Sequence, residues 1–282
     1  MQNTIQYIKN RLAALYPEGE TDGLIRLIFE AVCGWSFTEQ QLRKHETIGK
    51  NDFEKIKITV ARLQQSEPIQ YILGETIFYG LKLKVTPAVL IPRPETEELV
   101  DLIIRENPDD DRKILDIGTG SGCIALAIKS RLKNALVSGA DISGKALEVA
   151  RTNAESNGLI VDFFQTDILK WENYNWPEFD VIVSNPPYVT ASEKKLMHKN
   201  VLEFEPATAL FVDDNDPLLF YRRIAHFARE KLSRSGKIYF EINENFGVET
   251  KNLLAKTGFK AVEIVPDIHG KNRFVKATKG KL

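Results

Sequence analysis

The chain contains few of the residues that mark disulfide-bonded or metal-binding proteins. Its 282 residues include only two cysteines and four histidines. Cys33 and Cys123 lie far apart, and neither begins a Cys-x-x-Cys pair. This spacing indicates neither a disulfide framework nor a zinc site. We therefore expect no metal cofactor and a reduced, cytoplasmic setting.

The chain also lacks an excess of either charge and any long apolar run. Lysine and arginine number 38, against 39 aspartates and glutamates. A protein whose affinity depends on many phosphate contacts usually carries a basic surface, so we expect no direct DNA binding. No stretch approaches the roughly 18 apolar residues of a membrane-spanning helix. Residues 1–14 do not resemble a secretion signal. We expect no membrane association.

The composition is that of a soluble globular protein, with 43% hydrophobic and 27% charged residues. The length favours a large catalytic domain with a smaller companion. Between residues 4 and 72 the apolar residues recur at helical spacing, which predicts four or five short helices packed as a bundle. Two runs carry this pattern: Ile5, Ile8 and Leu12, and Leu24, Leu27, Ile28 and Ala31. Asn51 followed by Glu54 predicts a capped helix start.

The apolar period changes to two between residues 73 and 90. Leu81, Leu83 and Val85 alternate after the turn-forming pair Tyr79-Gly80, which predicts a β-hairpin that links the two domains. Pro87, Pro92 and Pro94 follow, and because each fixes a backbone torsion we expect a stiff, extended connector there.

From residue 113 onward, apolar strands alternate with helical patterns, which predicts an α/β layered sheet. The predicted strands are 113–116, 135–141, 161–165, 179–184, 237–242, 260–265 and 273–277. The predicted helices are 123–131, 143–157, 216–232 and 247–257. No helix separates the last two strands, so they should close the sheet as an antiparallel hairpin.

A glycine-rich turn follows the first of these strands. Gly118, Gly120 and Gly122 alternate after Asp116 and before a helix, so that a ligand can approach the backbone at the carboxyl end of a strand. A dinucleotide fingerprint needs its third glycine one position later, where this chain has Cys123. The spacing and the preceding acid are more typical of S-adenosylmethionine enzymes. The alternative is a tight turn that binds nothing.

Two aspartates end the next two strands. Asp141 can accept hydrogen bonds from both hydroxyls of a cofactor ribose, and it can also cap the helix that begins near Ser143, since the two roles are compatible. Asp167 would lie near the adenine as an acceptor for the exocyclic amine, or it is an ordinary turn residue.

The segment Asn185-Pro186-Pro187-Tyr188 follows a buried strand. Its prolines stiffen the backbone, and the Asn185 side-chain oxygen and the Pro186 carbonyl can accept both hydrogens of an NH2 group. Tyr188 offers an aromatic face for a flat substrate group. We interpret Asn185, Pro186 and Tyr188 as catalytic, and the four residues together as the substrate site. Asn185 also adjoins the cofactor.

The chain resembles the HemK/PrmC family of N5-glutamine methyltransferases, which modify class 1 peptide chain release factors. The resemblance covers nearly the whole chain. It is carried by the helical N-terminal part, Pro68–Gly74, Ile91–Glu97, the Gly118–Gly122 loop, Asn185–Tyr188, and Glu205-Pro206 with Ala209-Leu210. It implies a class I S-adenosylmethionine-dependent methyltransferase with a Rossmann-like seven-stranded sheet whose last strand is reversed, preceded by an N-terminal helical bundle. It implies the glutamine of the release factor Gly-Gly-Gln motif as methyl acceptor.

The resemblance also assigns individual residues. Gly118, Thr119, Gly120, Ser121, Gly122 and Asp141 fall on the family's cofactor contacts, and Asn185, Pro186, Pro187 and Tyr188 on its substrate clamp. The chain departs from the family pattern after Asp167, where an aromatic residue is common and this chain has Ile168. Either Ile168 or Trp171 could then contact the adenine. A second, conservative variant is Asp267–Arg273, where relatives often read Asp-Leu-x-Gly-x-x-Arg.

The predicted organisation is therefore a release-factor recognition bundle at 1–72, a hairpin linker at 73–90 and a methyltransferase domain at 91–282. Two other functions fit parts of the pattern. An adenine-N6 DNA methyltransferase would use the same clamp on another planar amine, after flipping the base from the duplex. A nucleotide-binding regulatory module would use the glycine loop alone.

Overall fold

The computed structural model describes residues 1–280, and residues 281 and 282 lie outside them. The chain forms two compact units. One consists of Met1–Gly74 together with His198–Phe204, and the other of Glu75–Met197 together with the chain from Glu205 onward. Within the described part of the chain, no helix has the length and apolarity needed to cross a membrane.

The first unit is a helical bundle, as its apolar spacing predicts. Its helices are α1 (Gln2–Leu12), α2 (Glu18–Cys33), α3 (Phe37–Leu42), α4 (Lys50–Leu63), α5 (Ile69–Leu73) and, numbered in chain order, α9 (Lys199–Phe204). Ile8, Leu12, Ile28 and Phe29 are completely buried in its core. The prediction for α2 was partly wrong, because Leu27 is 38% exposed and the buried stripe passes through Leu24, Ile25, Ile28 and Phe29 instead.

The predicted helix cap at Asn51 was also wrong. Helix α4 begins at Lys50 after Gly49, so Asn51 already lies within its first turn, and no side chain caps this helix. The reciprocal cap lies at α3, where the Ser36 hydroxyl accepts from the Glu39 N–H and the Glu39 carboxylate accepts from the Ser36 N–H. Such a cap satisfies two donors that a helix start leaves free.

The second unit opens with the predicted hairpin. Strands β1 (Glu75–Phe78) and β2 (Leu81–Lys84) pair antiparallel around Tyr79 and Gly80. Both turn residues have positive φ, of 51° and 77°. Positive φ at both central residues is typical of type I′ hairpin turns.

The sequence predicted an extended connector at Pro87, Pro92 and Pro94. In the structure, the connector is not extended over its whole length. Helix α6 (Pro94–Glu106) begins at Pro94 itself. Proline at a first helical position loses no hydrogen bond, since that N–H has no partner within the helix. Leu99, Val100 and Ile103 of this helix are completely buried.

The remaining elements form an α/β sheet flanked by helices. The sheet strands are β3 (Lys113–Ile117), β4 (Leu136–Asp141), β5 (Asp162–Gln165), β6 (Phe179–Ser184), β9 (Leu232–Glu241), β10 (Lys260–Pro266) and β11 (Asn272–Thr278). The helices between them are α7 (Cys123–Arg131), α8 (Gly144–Ser156), α11 (Leu219–Lys231) and α12 (Gly247–Lys256).

The strand order is β10-β11-β9-β6-β3-β4-β5, and β11 pairs antiparallel with both of its neighbours. This is the predicted seven-stranded sheet with a reversed last strand. The carboxyl ends of β3, β4 and β6 meet at one edge, where open sheets bind ligands. A short parallel pair, β7 (Val189–Thr190) with β8 (Phe211–Val212), and helix α10 (Ala207–Leu210) follow β6 and were not predicted.

Candidate active site

A cavity of about 380 Å³ lies at the carboxyl ends of β3, β4 and β6. Its volume falls within the range of small-molecule sites. Its walls come from several separate stretches of the second unit: parts of 88–96, 117–124, 140–146, 166–169, 184–187 and 206–211, with Phe220 and Ile224 of α11. Among the residues that the structure describes, no group of three side chains could hold a metal ion.

The glycine-rich turn forms one wall of the cavity. Gly118, Gly120 and Gly122 have positive φ, of 73°, 54° and 81°. The N–H groups of Gly118 and Thr119 donate to the Ala140 carbonyl at 2.8 and 3.0 Å, which ties the turn to β4. A Cβ at Gly120 would meet open space, so the backbone here is accessible to a ligand.

The last glycine of this turn has a different environment. Gly118, Thr119, Gly120 and Ser121 line the cavity, but Gly122 is not among its lining residues within 1–280. A Cβ at Gly122 would lie 3.2 Å from Ala150, Leu126 and Phe163. Gly122 therefore allows α7 to pack closely against its neighbours.

Behind the turn, Asp116 is completely buried. Its carboxylate accepts from the Thr119 hydroxyl at 2.6 Å. Burial raises the pKa of Asp116 to about 7, an effect that the hydrogen bond from Thr119 opposes.

Asp141 at the end of β4 lines the cavity and also holds the turn. One carboxylate oxygen accepts from the Gly120 N–H at 2.9 Å, and the other from the Ser143 N–H at 2.9 Å. Burial raises the pKa of Asp141, while these backbone hydrogen bonds oppose the increase. The other prediction, that Asp141 caps α8, is wrong, because the Ser143 hydroxyl accepts from the Ala146 N–H and provides that cap.

Ile168 and Trp171, which follow β5, have different surroundings. Asp167 and Ile168 line the cavity. Trp171 is only 7% exposed and packs edge-on against Phe227, with ring centroids 5.6 Å apart, so it belongs to the core. The Asp167 carboxylate also accepts from the Leu169 N–H, so this residue begins a turn as well as facing the cavity.

The proline segment after β6 forms the opposite wall. Asn185, Pro186 and Pro187 line the cavity. The Ser184 hydroxyl donates to the Ile117 carbonyl at 2.6 Å, which connects β6 to the start of the glycine turn. Within residues 1–280, the Asn185 side chain makes no hydrogen bond, so its amide is available to a ligand.

Tyr188 lies differently from the other three residues of its segment. It is not among the lining residues that the structure describes. Its ring packs against the core, and its hydroxyl donates to Glu241 at 3.3 Å. The predicted use of its aromatic face by a substrate therefore stays a prediction.

Two further parts of the cavity wall were not predicted from the sequence. Glu205 is buried and accepts from the Arg93 guanidinium at 2.6 Å and from the Ile91 N–H at 3.2 Å. These contacts join the connector to the segment that carries Pro206 and Phe211. Both partners lie in motifs that carried the family resemblance, but nothing local indicated that they pair. Phe220 and Ile224 had no such signal.

The donor set of this cavity fits S-adenosylmethionine. Asp141 contributes a carboxylate to its lining, and Ile142 and Ile168 contribute apolar side chains. Ser121 adds a buried hydroxyl to the same cavity. A reversed-strand sheet with this site defines a class I S-adenosylmethionine-dependent methyltransferase. A solved methyltransferase from Pyrococcus furiosus has the same fold, with a TM-score of 0.53 at 18% identity over 82% of this chain and 100% of that one.

Comparison with known sequences identifies the family. Residues 3–74 match the model of the PrmC N-terminal domain, and residues 96–208 match that of the methyltransferase small domain. The release factor glutamine methyltransferase of Flavobacterium psychrophilum is 46% identical over 94% of both chains. That of Bacteroides thetaiotaomicron is 43% identical over 99% of this chain and 100% of its own. The chain belongs to the family of release factor glutamine methyltransferases.

Proposed function

We propose that this protein transfers a methyl group from S-adenosylmethionine to the side-chain amide nitrogen, N5, of the glutamine in the Gly-Gly-Gln motif of class 1 peptide chain release factors, and so supports translation termination. The observation that carries the proposal is the Asn185-Pro186-Pro187 wall, which faces the same cavity as the glycine turn and Asp141. Membership of the release factor glutamine methyltransferase family supports the release factor glutamine as the substrate. A substrate of this kind implies a cytoplasmic location.

The chemistry begins from a weak nucleophile. The lone pair of an amide nitrogen is delocalised into its carbonyl group. The Asn185 side-chain oxygen and the Pro186 carbonyl would accept the two amide hydrogens, which holds the nitrogen with its lone pair towards the methyl donor. S-adenosylmethionine supplies an electrophilic methyl group on a positively charged sulfur.

Positioning then accounts for most of the catalysis. The cavity holds the two reactants on opposite walls, and well-oriented reactants react far faster than free ones. The two prolines fix the backbone that presents both acceptors, so little reorganisation is needed on binding. No general base is required, since the proton leaves to solvent during or after transfer.

Transfer of labelled methyl groups tests this function. We expect label on purified release factor, none on the same factor with alanine in place of the Gly-Gly-Gln glutamine, and none on duplex DNA. Label on DNA alone would show that the acceptor is adenine rather than glutamine. The family to which the chain belongs disfavours that outcome.

The Asn185→Ala variant tests the clamp. Loss of one preorganised acceptor should lower the single-turnover rate on release factor by roughly a hundredfold. S-adenosylmethionine affinity, measured by calorimetry, should change far less. Asn185→Asp keeps an acceptor and should retain partial activity. A near-normal rate for Asn185→Ala would mean that the segment is structural.

The first unit is proposed to recognise the release factor. Every cofactor-facing residue lies in the second unit, while the first exposes large apolar side chains, among them Phe37 at 58% and Leu42 at 79%. These side chains would bury apolar area against a bound partner. The change of both to alanine should raise the KM for release factor about thirtyfold, since a loss of roughly 1 kcal/mol at each side chain adds to about 2 kcal/mol. Ile160→Ala, an exposed apolar change in the second unit, is the control.

A further inference from the structure

A buried carboxylate lies directly behind the clamp. Glu241 is the last residue of β9, which pairs in parallel with β6. Because Ser184 pairs with Phe240, Glu241 stands level with Asn185 at the same edge of the sheet. Glu241 is only 2% exposed and is not among the described residues that line the cavity. A carboxylate in such a place is costly unless it is well paired.

One partner of this carboxylate lines the cavity, and the other is the last residue of the Asn185–Tyr188 segment. One oxygen accepts from the Thr96 hydroxyl at 2.7 Å, and Thr96, in the first turn of α6, lines the cavity. The other oxygen accepts from the Tyr188 hydroxyl at 3.3 Å. The buried carboxylate of Glu241 therefore joins α6 to the end of the clamp, the segment Asn185–Tyr188.

A countercharge stabilises this arrangement. Burial raises the pKa of Glu241, whereas Thr96, Arg273 and Tyr188 oppose the increase. Arg273 is held in turn by the buried Asp267, whose carboxylate accepts from the Arg273 Nε at 3.2 Å and also from two backbone N–H groups of the intervening turn. The segment from Asp267 to Arg273 thus holds the guanidinium whose charge opposes the rise in the pKa of Glu241.

We propose that Glu241 is a positioning residue for methyl transfer, which acts through the Tyr188 hydroxyl and Thr96 to hold the Asn185–Tyr188 clamp against the cavity. The prolines restrict the middle of the clamp, but its far end is anchored by the Tyr188 side chain. A displacement of the order of 1 Å at a reacting group costs about a hundredfold in rate, so a loosened anchor should be visible in the chemical step. This proposal rests on the proposed function.

A double-mutant cycle tests the proposal in the full-length protein. Tyr188→Phe removes only the hydroxyl, and Glu241→Gln removes the charge and one acceptor. Each should lower the single-turnover rate at saturating release factor by about tenfold, while the KM for release factor and the Kd for S-adenosylmethionine, measured by calorimetry, stay within about twofold. Because both changes break the same link, the double variant should be no slower than the slower single variant.

A matched control separates positioning from loss of packing. Tyr221 lies in the same core, and its hydroxyl donates to the main-chain carbonyl of Glu241 at 3.2 Å. Tyr221→Phe should leave the single-turnover rate within about twofold of wild type. Thr96→Val should lower the single-turnover rate. Thr96→Ser, which keeps the hydroxyl, should retain most of the wild-type rate.

The outcomes are distinguishable. An unreactive wild-type protein would refute the proposed function itself. An active wild type with unaffected Tyr188→Phe and Glu241→Gln variants, or with losses that multiply in the double variant, would overturn the role of Glu241. If Glu241→Gln fails to bind cofactor because it does not fold, the cycle of Tyr188→Phe with Thr96→Val decides, since both leave the carboxylate in place.

Discussion

The carboxylate of Asp141 should determine the affinity for S-adenosylmethionine. It lines the cavity and at the same time accepts from the N–H groups of Gly120 and Ser143, each at 2.9 Å. Asp141→Ala removes the acceptor for the ribose and also releases the glycine turn. A hydrogen bond to a charged group contributes about 1.5–3 kcal/mol, so loss of even one to the ribose should raise the Kd roughly 10- to 150-fold.

Asp141→Asn separates the two contributions. The amide keeps one acceptor for the turn but loses the charge, so its Kd should lie between those of the wild type and Asp141→Ala. Asp162→Ala is the control, because it removes an exposed aspartate at the start of β5, away from the carboxyl ends of the strands. Isothermal calorimetry gives the Kd values, and thermal melting shows whether each variant is folded.

One result would refute the assignment of Asp141. A folded Asp141→Ala protein that binds S-adenosylmethionine with the wild-type Kd would show that this carboxylate does not contact the ribose. A fully restored Kd in Asp141→Asn would mean that the turn, and not the charge, determines the affinity.

Three further changes test other parts of the structure. Burial raises the pKa of Asp116 from 3.8 to about 7, so the folded state holds this proton more tightly than the unfolded state does. The unfolding free energy should therefore fall as the pH rises from about 4 to 7, by at most about 4 kcal/mol from this group. Asp116→Asn should lack this pH dependence in urea titrations. Gly139→Ala places a Cβ 2.6 Å from the Phe163 ring and should destabilise the protein by about 1–3 kcal/mol, whereas unchanged unfolding would contradict that packing. Ile168→Ala should weaken cofactor binding, measured by calorimetry, with little loss of stability. Trp171→Ala should lower the unfolding free energy, measured by denaturation, by about 3–5 kcal/mol. If Trp171 contacted the adenine, Trp171→Ala rather than Ile168→Ala would weaken cofactor binding.

Local pattern predicted the central part of the fold well. The strand Phe179–Ser184 and the helix Cys123–Arg131 have the predicted bounds. Their signals are short-range, because a strand buried on both faces and a helix after a glycine turn each show their character within a few residues. Pro94 misled the prediction because proline restricts the chain in an extended connector and at a helix start alike, and only the packing of Leu99 and Ile103 decides between them.

The sequence by itself determined which residues could bind a cofactor and hold an amide, since the glycine turn, Asp141 and Asn185 each stand at the carboxyl end of a predicted strand. Only the tertiary structure decided which of the remaining candidates face the cavity. Ile168 faces it and Trp171 does not, Arg93 pairs with Glu205, and the Tyr188 hydroxyl meets Glu241. These contacts join residues far apart in the chain, and their partners are chosen by how helices and strands pack rather than by any local preference.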